Sequence, residues 1–341
     1  MSMNAILKQY GLSPSAYTLE QFGSGLIHRT FAVKNGFGEE AFILQEVNHH
    51  VFTKPDDIAH NLMVLDNFRK QNHPDFFFPV PLNTRDGKSY ARLGDSYFRL
   101  TSFVHKSHAV NSCTTAQEAY EAARQFGKFT AMLTGVRMDM LRYTIPGFHD
   151  LNWRWQQFQD ALDAGNKERM TTAAAEIGFL KSRYDIVEQY NAIKTDPEFR
   201  IRVTHHDTKI SNVLLDENEK GICVIDLDTV MPGNFISDLG DMFRTYLSPA
   251  SEEEKDLNNL SVRKDFYDAI VMGYLSFMEP ELTAKEKASF SYAGEFMIYM
   301  QALRFLTDYL NNDRYYGQSY EGHNLLRAQN QIALHRLFLA S

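Results

Sequence analysis

Cysteine is scarce in this chain: Cys113 and Cys223 are the only two among 341 residues, far apart and in no paired motif. A disulfide framework is thereby excluded, and a reduced, cytoplasmic setting fits better. Long apolar runs are missing as well. Nowhere do about 18 apolar residues follow one another, so no membrane span is expected. The start "MSMNAILKQYGLS" lacks the basic head and apolar middle of a secretory signal. No block of Lys and Arg interrupts a formal charge of −8. That argues against nucleic acid or an anionic membrane as the partner. An anionic substrate would have to be met by a few placed cations or by metal ions.

What is there is the make-up of a folded protein: 44% hydrophobic and 23% charged residues exclude disorder as the main state. A length of 341 residues exceeds one ordinary core and suggests two lobes. Early in the chain, "YTLEQFGSG", "RTFAVKN" and "EAFILQEV" are short β-branched or aromatic runs separated by glycine-bearing turns. "DDIAHNLMVLDNFRKQ" reads as a helix, and "KSYARLGDSYFRLTSFV" as a hairpin turning at Gly94 and Asp95. After about Val104 helices dominate. Thr115 and Glu118 form a capping box. Helical patterns cover roughly 151–193, 263–278, 283–310 and 323–339, interrupted by an island of strands, "RIRVTHHD", "NVLLD" and "ICVIDLD". The expectation is an α+β fold with a small β-rich lobe over 1–104 and a larger helical lobe over 105–341.

The island carries the chemistry. In "VTHHDTKISNVLLD", Asp207 and Asn212 stand in the order D-x-x-x-x-N, with His205 two residues ahead of the aspartate. This is the interval of a phosphoryl-transfer loop, in which the aspartate receives or orients a hydroxyl proton and the asparagine oxygen holds Mg²⁺. A second metal ligand is then required, and "CVIDLDTVMPG" offers Asp226 at a strand end, beside Asn212 if the two strands pair. Asp228 is a neighbouring carboxylate. Lys209 lies within reach of a transferring phosphoryl group. Asp238 and Asp241 open a further helix, where Asp238 could act as an N-cap. The two histidines are not a metal pair, because adjacent strand residues face opposite ways. His205 is expected to bond loop backbone and His206 to face solvent.

Upstream, "FGSGLIHRTFAV" is a turn whose Gly23 and Gly25 would let backbone N–H groups approach phosphates. Arg304 sits in an apolar helix between Leu303 and Phe305, so its guanidinium needs acceptors. An internal salt bridge would supply them equally well. Trp153 and Trp155 could stack on a sugar ring or pack a helix.

Taken together, these motifs resemble the aminoglycoside phosphotransferase-like kinases, which share the two-lobed protein-kinase fold. Within them, "RVTHHDTKISNVLLD", "IDLDTVMPG", "DLGD", "RFLTDYL" and "HNLLRAQNQI" are most similar to the N-acetylhexosamine 1-kinase branch. The resemblance implies ATP and Mg²⁺ as cofactors and a sugar acceptor, N-acetylglucosamine or N-acetylgalactosamine; the alternatives are a kinase of an aminoglycoside, choline, homoserine or N-acetylmuramate, or an inactive nucleotide-binding pseudokinase. It implies Asp207 as base and sugar contact, with Asn212 and Asp226 on the metal. It further implies Gly23, Ser24, Gly25 and Leu26 over the nucleotide phosphates. Thr101, Ser102, Phe103 and Val104 would form the hinge beside adenine, and Arg304 and Tyr315 would contact the sugar. One departure stands out. Gln45 occupies the place where a protein kinase has its phosphate-binding lysine, and the next helix offers no glutamate partner. Gln45, Arg29 or a second Mg²⁺ are left to hold the phosphates.

Overall fold

The computed structural model describes residues 3–23, 28–48 and 51–341. Its N-terminal region begins with helix α1 (Asn4–Gln9) and strands β1 (Tyr17–Gln21), β2 (Arg29–Asn35) and β3 (Glu40–Val47). Helix α2 (Pro55–Asn72) and the hairpin of β4 (Ala91–Leu93) and β5 (Ser96–Ser102) complete it. The five strands form one antiparallel sheet in the order β1-β2-β3-β5-β4. Strand alternation decides what each face does. Leu44, Phe98 and Leu100 turn inward to a small core with Ile6, Leu7 and Val33. Their neighbours Ile43, Gln45, Arg99 and Thr101 turn to the opposite face, in the register Ile43↔Thr101 and Gln45↔Arg99.

The C-terminal part is mainly helical. Helix α3 (Ala116–Met132) is followed by α4 (Leu151–Ala164), α5 (Lys167–Thr172), α6 (Ala174–Ser182) and α7 (Asp185–Thr195). Strands β6 (Arg202–Thr204), β7 (Val213–Leu215), β8 (Gly221–Val224) and β9 (Met231–Gly233) come next. Helices α8 (Phe235–Tyr246), α9 (Lys264–Met278), α10 (Ala284–Ala288), α11 (Phe290–Leu310) and α12 (His323–Ala340) close the chain. The α+β expectation holds. The helical runs are more broken than their periodicity suggests. Gly165 ends α4, and the Asn166 side chain then accepts the N–H groups of Glu168 and Arg169 to start α5. The run over 283–310 likewise divides at Ser289.

Helix α3 opens on the expected capping box, with Thr115 Oγ1 accepting the Glu118 N–H at 3.2 Å. It lies unusually close to α9. A Cβ on Gly127 would stand 2.7 Å from the Tyr274 carbonyl, and one on Gly273 would stand 2.3 Å from that of Tyr120. Only glycine permits this approach. Strand β6 is anchored by a buried ion pair: Arg202 reaches both carboxylate oxygens of Glu286 at 2.6 and 2.9 Å. Glu286 also caps α10 through the Thr283 N–H, so every oxygen of the buried carboxylate is used. Asn61 of α2 donates to the carbonyls of Val230 and Arg142 at 2.9 and 2.8 Å, tying the N-terminal helix to the segment after β8.

Candidate active site

The segment from His205 to Asn212 leaves β6 and enters β7, and helix α8 holds its backbone from beneath. The Asp238 carboxylate accepts the N–H groups of His205 at 2.9 Å and His206 at 2.7 Å. Asp241 accepts that of Thr208 at 2.8 Å. Asp238 is not an N-cap, a position taken by Asn234. Burial, outweighing its two N–H donors, pushes the Asp238 carboxyl up to about 7. His205 lies under the loop, with Nε2 at 3.0 Å from the Ile225 carbonyl and its ring edge-on to Phe126.

His206 is buried rather than solvent-facing. Strand alternation stops at Thr204, and His206 adopts a left-handed φ of +64°. That turn swings the ring back against β6 and β9, where Nδ1 meets the Thr204 carbonyl at 3.1 Å. Gly233 leaves room for it, since a Cβ there would stand 2.6 Å from His206 Nε2. Burial holds the His206 pKa down to about 4.

The Asp207 carboxylate, half-buried, receives Lys209 Nζ at 2.9 Å and Asn212 Nδ2 at 3.0 Å. Burial opposes the charged form of Lys209, yet Asp207 and then Asp226 hold its pKa above the ordinary value. Asn212 donates a second time to the Asp207 carbonyl at 2.9 Å. With the amide nitrogen so committed, Oδ1 is the atom left for a cation. The Ile225 N–H binds the Asn212 carbonyl at 2.8 Å, which sets Asp226 beside Asn212 across the β7–β8 ladder. Asp226 itself has a left-handed φ of +59°. Among the described residues, nothing donates a hydrogen bond to its carboxylate. Burial, then Asp228 and Asp207, raise its pKa. A carboxylate desolvated among like charges, next to a free amide oxygen, is a donor set that suits a hard divalent cation.

Asn212 and Asp226 open into a cavity of about 280 Å³ whose other walls include Gln45, Thr101, Ser102, Phe103 and Val104. The structure thus brings together the expected metal pair, the strand position of the missing lysine and the expected hinge segment. Gly23 is exposed, with φ +72° and open space at its Cβ position. Ser24, Gly25 and Leu26 lie outside the described residues. Arg29 points away, with 76% of its side chain exposed and a partner in Glu46 at 2.9 Å.

Arg304 and Tyr315 line a second cavity of about 250 Å³ together with Arg154, Gln157, Asp160 and Asp308. Among the described residues, neither arginine forms a salt bridge, so the internal ion pair considered for Arg304 is not made. Arg304 Nη1 binds Gln301 Oε1 at 3.1 Å, and Arg154 binds the Phe148 carbonyl and Gln157. Burial, then Arg304, lower the Arg154 pKa to about 10. Ring contacts lead from here toward the segment that carries Asp207: Arg304 stands 5.3 Å from the Phe148 ring, and His149 5.2 Å from His206.

A family model described as "Phosphotransferase enzyme family" (APH) matches residues 18–262, more than half of the chain. The chain belongs to the APH phosphotransferase family. The fold of this phosphotransferase is also found in a microcompartment-associated aminopropanol kinase, at a TM-score of 0.68 and 20% identity over 98% of this chain and 95% of that one. A spectinomycin phosphotransferase in complex with ADP and spectinomycin matches at 0.62 and 14%, over 99% and 96%. Choline kinase from Cryptosporidium parvum matches at 0.57 and 14%, over 96% and 90%. At such identities the likeness is one of fold.

The phosphotransferase holds two further groups that motif reading did not single out. Arg99 is buried beside the first cavity, with Nε on Gln45 Oε1 at 2.9 Å and Nη1 on Asp228. His28 Nε2 meets the other Asp228 oxygen at 2.7 Å. His28, Asp226 and Asp228 each place one potential ligand atom within 4.8 Å of the others, but two of the three are bonded to each other. Burial opposes the Asp228 charge, and Arg99 followed by His28 overcomes this and lowers its pKa. A signal for Arg99 existed: a charge flanked by Phe98 and Leu100 in an alternating strand must face the cleft side. Trp155 packs against Phe158 and Tyr184, whereas Trp153 is half-exposed over Gly147. Among the described residues, no helix is long and apolar enough to cross a membrane.

Proposed function

We propose that this phosphotransferase is an ATP- and Mg²⁺-dependent kinase of a small neutral alcohol, with the anomeric hydroxyl of an N-acetylhexosamine as acceptor. The kinase part rests on one observation: Asp207 is hydrogen-bonded to Asn212, and Asn212 stands beside Asp226 on the wall of a cavity that also includes the expected hinge segment. Asp207, steadied by Lys209 and Asn212, would take the acceptor proton as the hydroxyl oxygen bonds to the γ-phosphorus and the bond to ADP breaks. Lys209 offers positive charge where the transferring group gathers negative charge. Asn212 Oδ1 and the Asp226 carboxylate would hold Mg²⁺. When bound, that ion would neutralise the phosphate oxygens.

The acceptor reading is carried by the second cavity. Aminopropanol and choline, the acceptors named for two of the neighbours, carry a cationic nitrogen in water. The wall of that cavity sets Arg154 and Arg304 beside Asp160 and Asp308, a charge-balanced lining that gives a lone cation no net attraction. A sugar with an acetamide carbonyl and hydroxyls offers acceptors to the arginines and donors to the carboxylates. The test is a coupled ADP-release assay with N-acetylglucosamine, N-acetylgalactosamine, aminopropanol, ethanolamine and choline, followed by ³¹P NMR of the product. A hexosamine 1-phosphate is expected. Turnover confined to the amino alcohols would overturn the acceptor, and no turnover with any of them would count against the whole reading.

A further inference from the structure

The phosphate-binding lysine of protein kinases has no counterpart in position, since Gln45 stands on β3 in its place and Arg29 turns outward. A cation is nevertheless present one strand away. Arg99 on β5 is the direct cross-strand partner of Gln45, and Gln45 Oε1 receives its Nε at 2.9 Å. Arg99 is 5% exposed and borders the same cavity as Asn212 and Asp226. Its anionic partner has moved too. Asp228, two residues beyond Asp226, takes Nη1 of Arg99 and is itself fixed by His28 Nε2 at 2.7 Å. His28 in turn accepts the Asn48 N–H on Nδ1 at 3.1 Å. So its Nε2 carries the proton given to Asp228.

We propose that Arg99 is the nucleotide's phosphate ligand, kept in place by Asp228 while its remaining edge faces the phosphates, an inference that rests on the kinase reading above. The geometry fits a fork. Nε and Nη1 are committed to Gln45 and Asp228, whereas Nη2 makes no hydrogen bond to a described residue. A guanidinium can serve a carboxylate and a phosphate from different edges at once, where an ammonium would have to divide itself. The pair differs from the structural Arg202–Glu286 pair, whose guanidinium spends both Nη atoms inside the protein, in leaving one Nη free beside a cavity. Gln45 keeps a role as the crutch that sets the guanidinium plane.

The test measures phosphate preference rather than turnover. Affinities for ADP and for adenosine are determined by calorimetry in EDTA, so that no metal bridges the phosphates. Changing Arg99 alone to a neutral residue would strand the Asp228 charge, so the main variant is Arg99→Gln/Asp228→Asn, which removes both charges together. Its ADP affinity should fall at least tenfold while adenosine affinity stays within threefold of wild type. Arg99→Lys, which keeps the ion pair, should lose part of the ADP preference, about threefold or more. Retention of the wild-type ADP-to-adenosine ratio in either folded variant overturns the proposal. So does an equal loss of both ligands, the mark of a merely structural pair. A wild-type protein that binds neither ligand would instead remove the kinase reading itself.

Discussion

Asp238, in the first turns of helix α8, accepts the backbone N–H of His206 at 2.7 Å across thirty-two residues of chain. With the bond to His205, this one carboxylate satisfies two consecutive amides just ahead of Asp207. A loop with no regular ladder of its own needs such outside acceptors. Asp238→Ala would leave both amides buried and unpartnered, at about 1–3 kcal/mol each. The expected result is a lower urea midpoint and at least a tenfold fall in kcat. Asp238→Asn, which keeps an acceptor oxygen, should do less damage. Equal stability of the alanine variant and wild type would show that the loop does not depend on this contact.

Asp207→Asn should fold normally, since Lys209 is surface-accessible in part and Asn212 can turn its amide to the new oxygen. Loss of the base is expected to lower turnover by about 10²–10⁴-fold. ADP affinity should stay within about twofold. A variant that turns over at the wild-type rate would remove Asp207 from the mechanism.

Metal dependence gives a separate handle on Asp226. In wild type, ADP should bind more tightly with Mg²⁺ than with EDTA. Asp226→Ala should erase that difference while leaving the weaker, EDTA-level affinity in place. Calorimetry in the two buffers reads the outcome directly, and a persistent Mg²⁺ enhancement would assign the ion to other groups.

Arg304→Ala should raise the acceptor KM about tenfold or more, the scale of a lost charge-assisted hydrogen bond, with the ATP KM unchanged. Steady-state kinetics varying each substrate in turn make the comparison. A matched change in both constants would point to general distortion of helix α11 instead.

A buried histidine far from the chemistry offers a pH prediction. His335 is fully buried, and neither ring nitrogen has a hydrogen-bond partner among the described residues. Burial first, then Arg183, pull its pKa down to about 4 from the ordinary 6.5. Such a depressed group supports the fold fully above pH 6.5 and loses that support as pH falls toward 4, because the unfolded chain takes the proton first. His335→Leu removes the loss. Relative to wild type it should gain about 2 kcal/mol on going from pH 7 to pH 5, read from urea unfolding at both values.

Much of this architecture can be read from local pattern. The strand pair "RTFAVKN" and "EAFILQEV", the hairpin at Gly94, and the Asp207–Asn212 interval with Asp226 downstream all follow from alternation and spacing. Arg99 and His28 were harder, because each meets Asp228 across more than a hundred residues, and no short-range pattern encodes that meeting. His206 departs from the solvent-facing expectation because one left-handed residue suspends the alternation rule. The breaks inside 151–193 hinge on Gly165 and Asn166, whose effect on a helix is decided by tertiary packing. Asp238 was visible as an acid at a helix start, but its two amide partners come from a different element.

The β7–β8 hairpin has a last consequence, for how such a protein can change over evolutionary time. Asn212 and Asp226 stand together at its open end, while residues 217–219 form the exposed tip at the other. Extra residues at the tip would lengthen a surface loop and leave the two open-end side chains side by side. A slip of the strands by a single residue would part them. Tip length and ladder phase are therefore separate variables in descent, and only the second decides whether Asn212 and Asp226 meet.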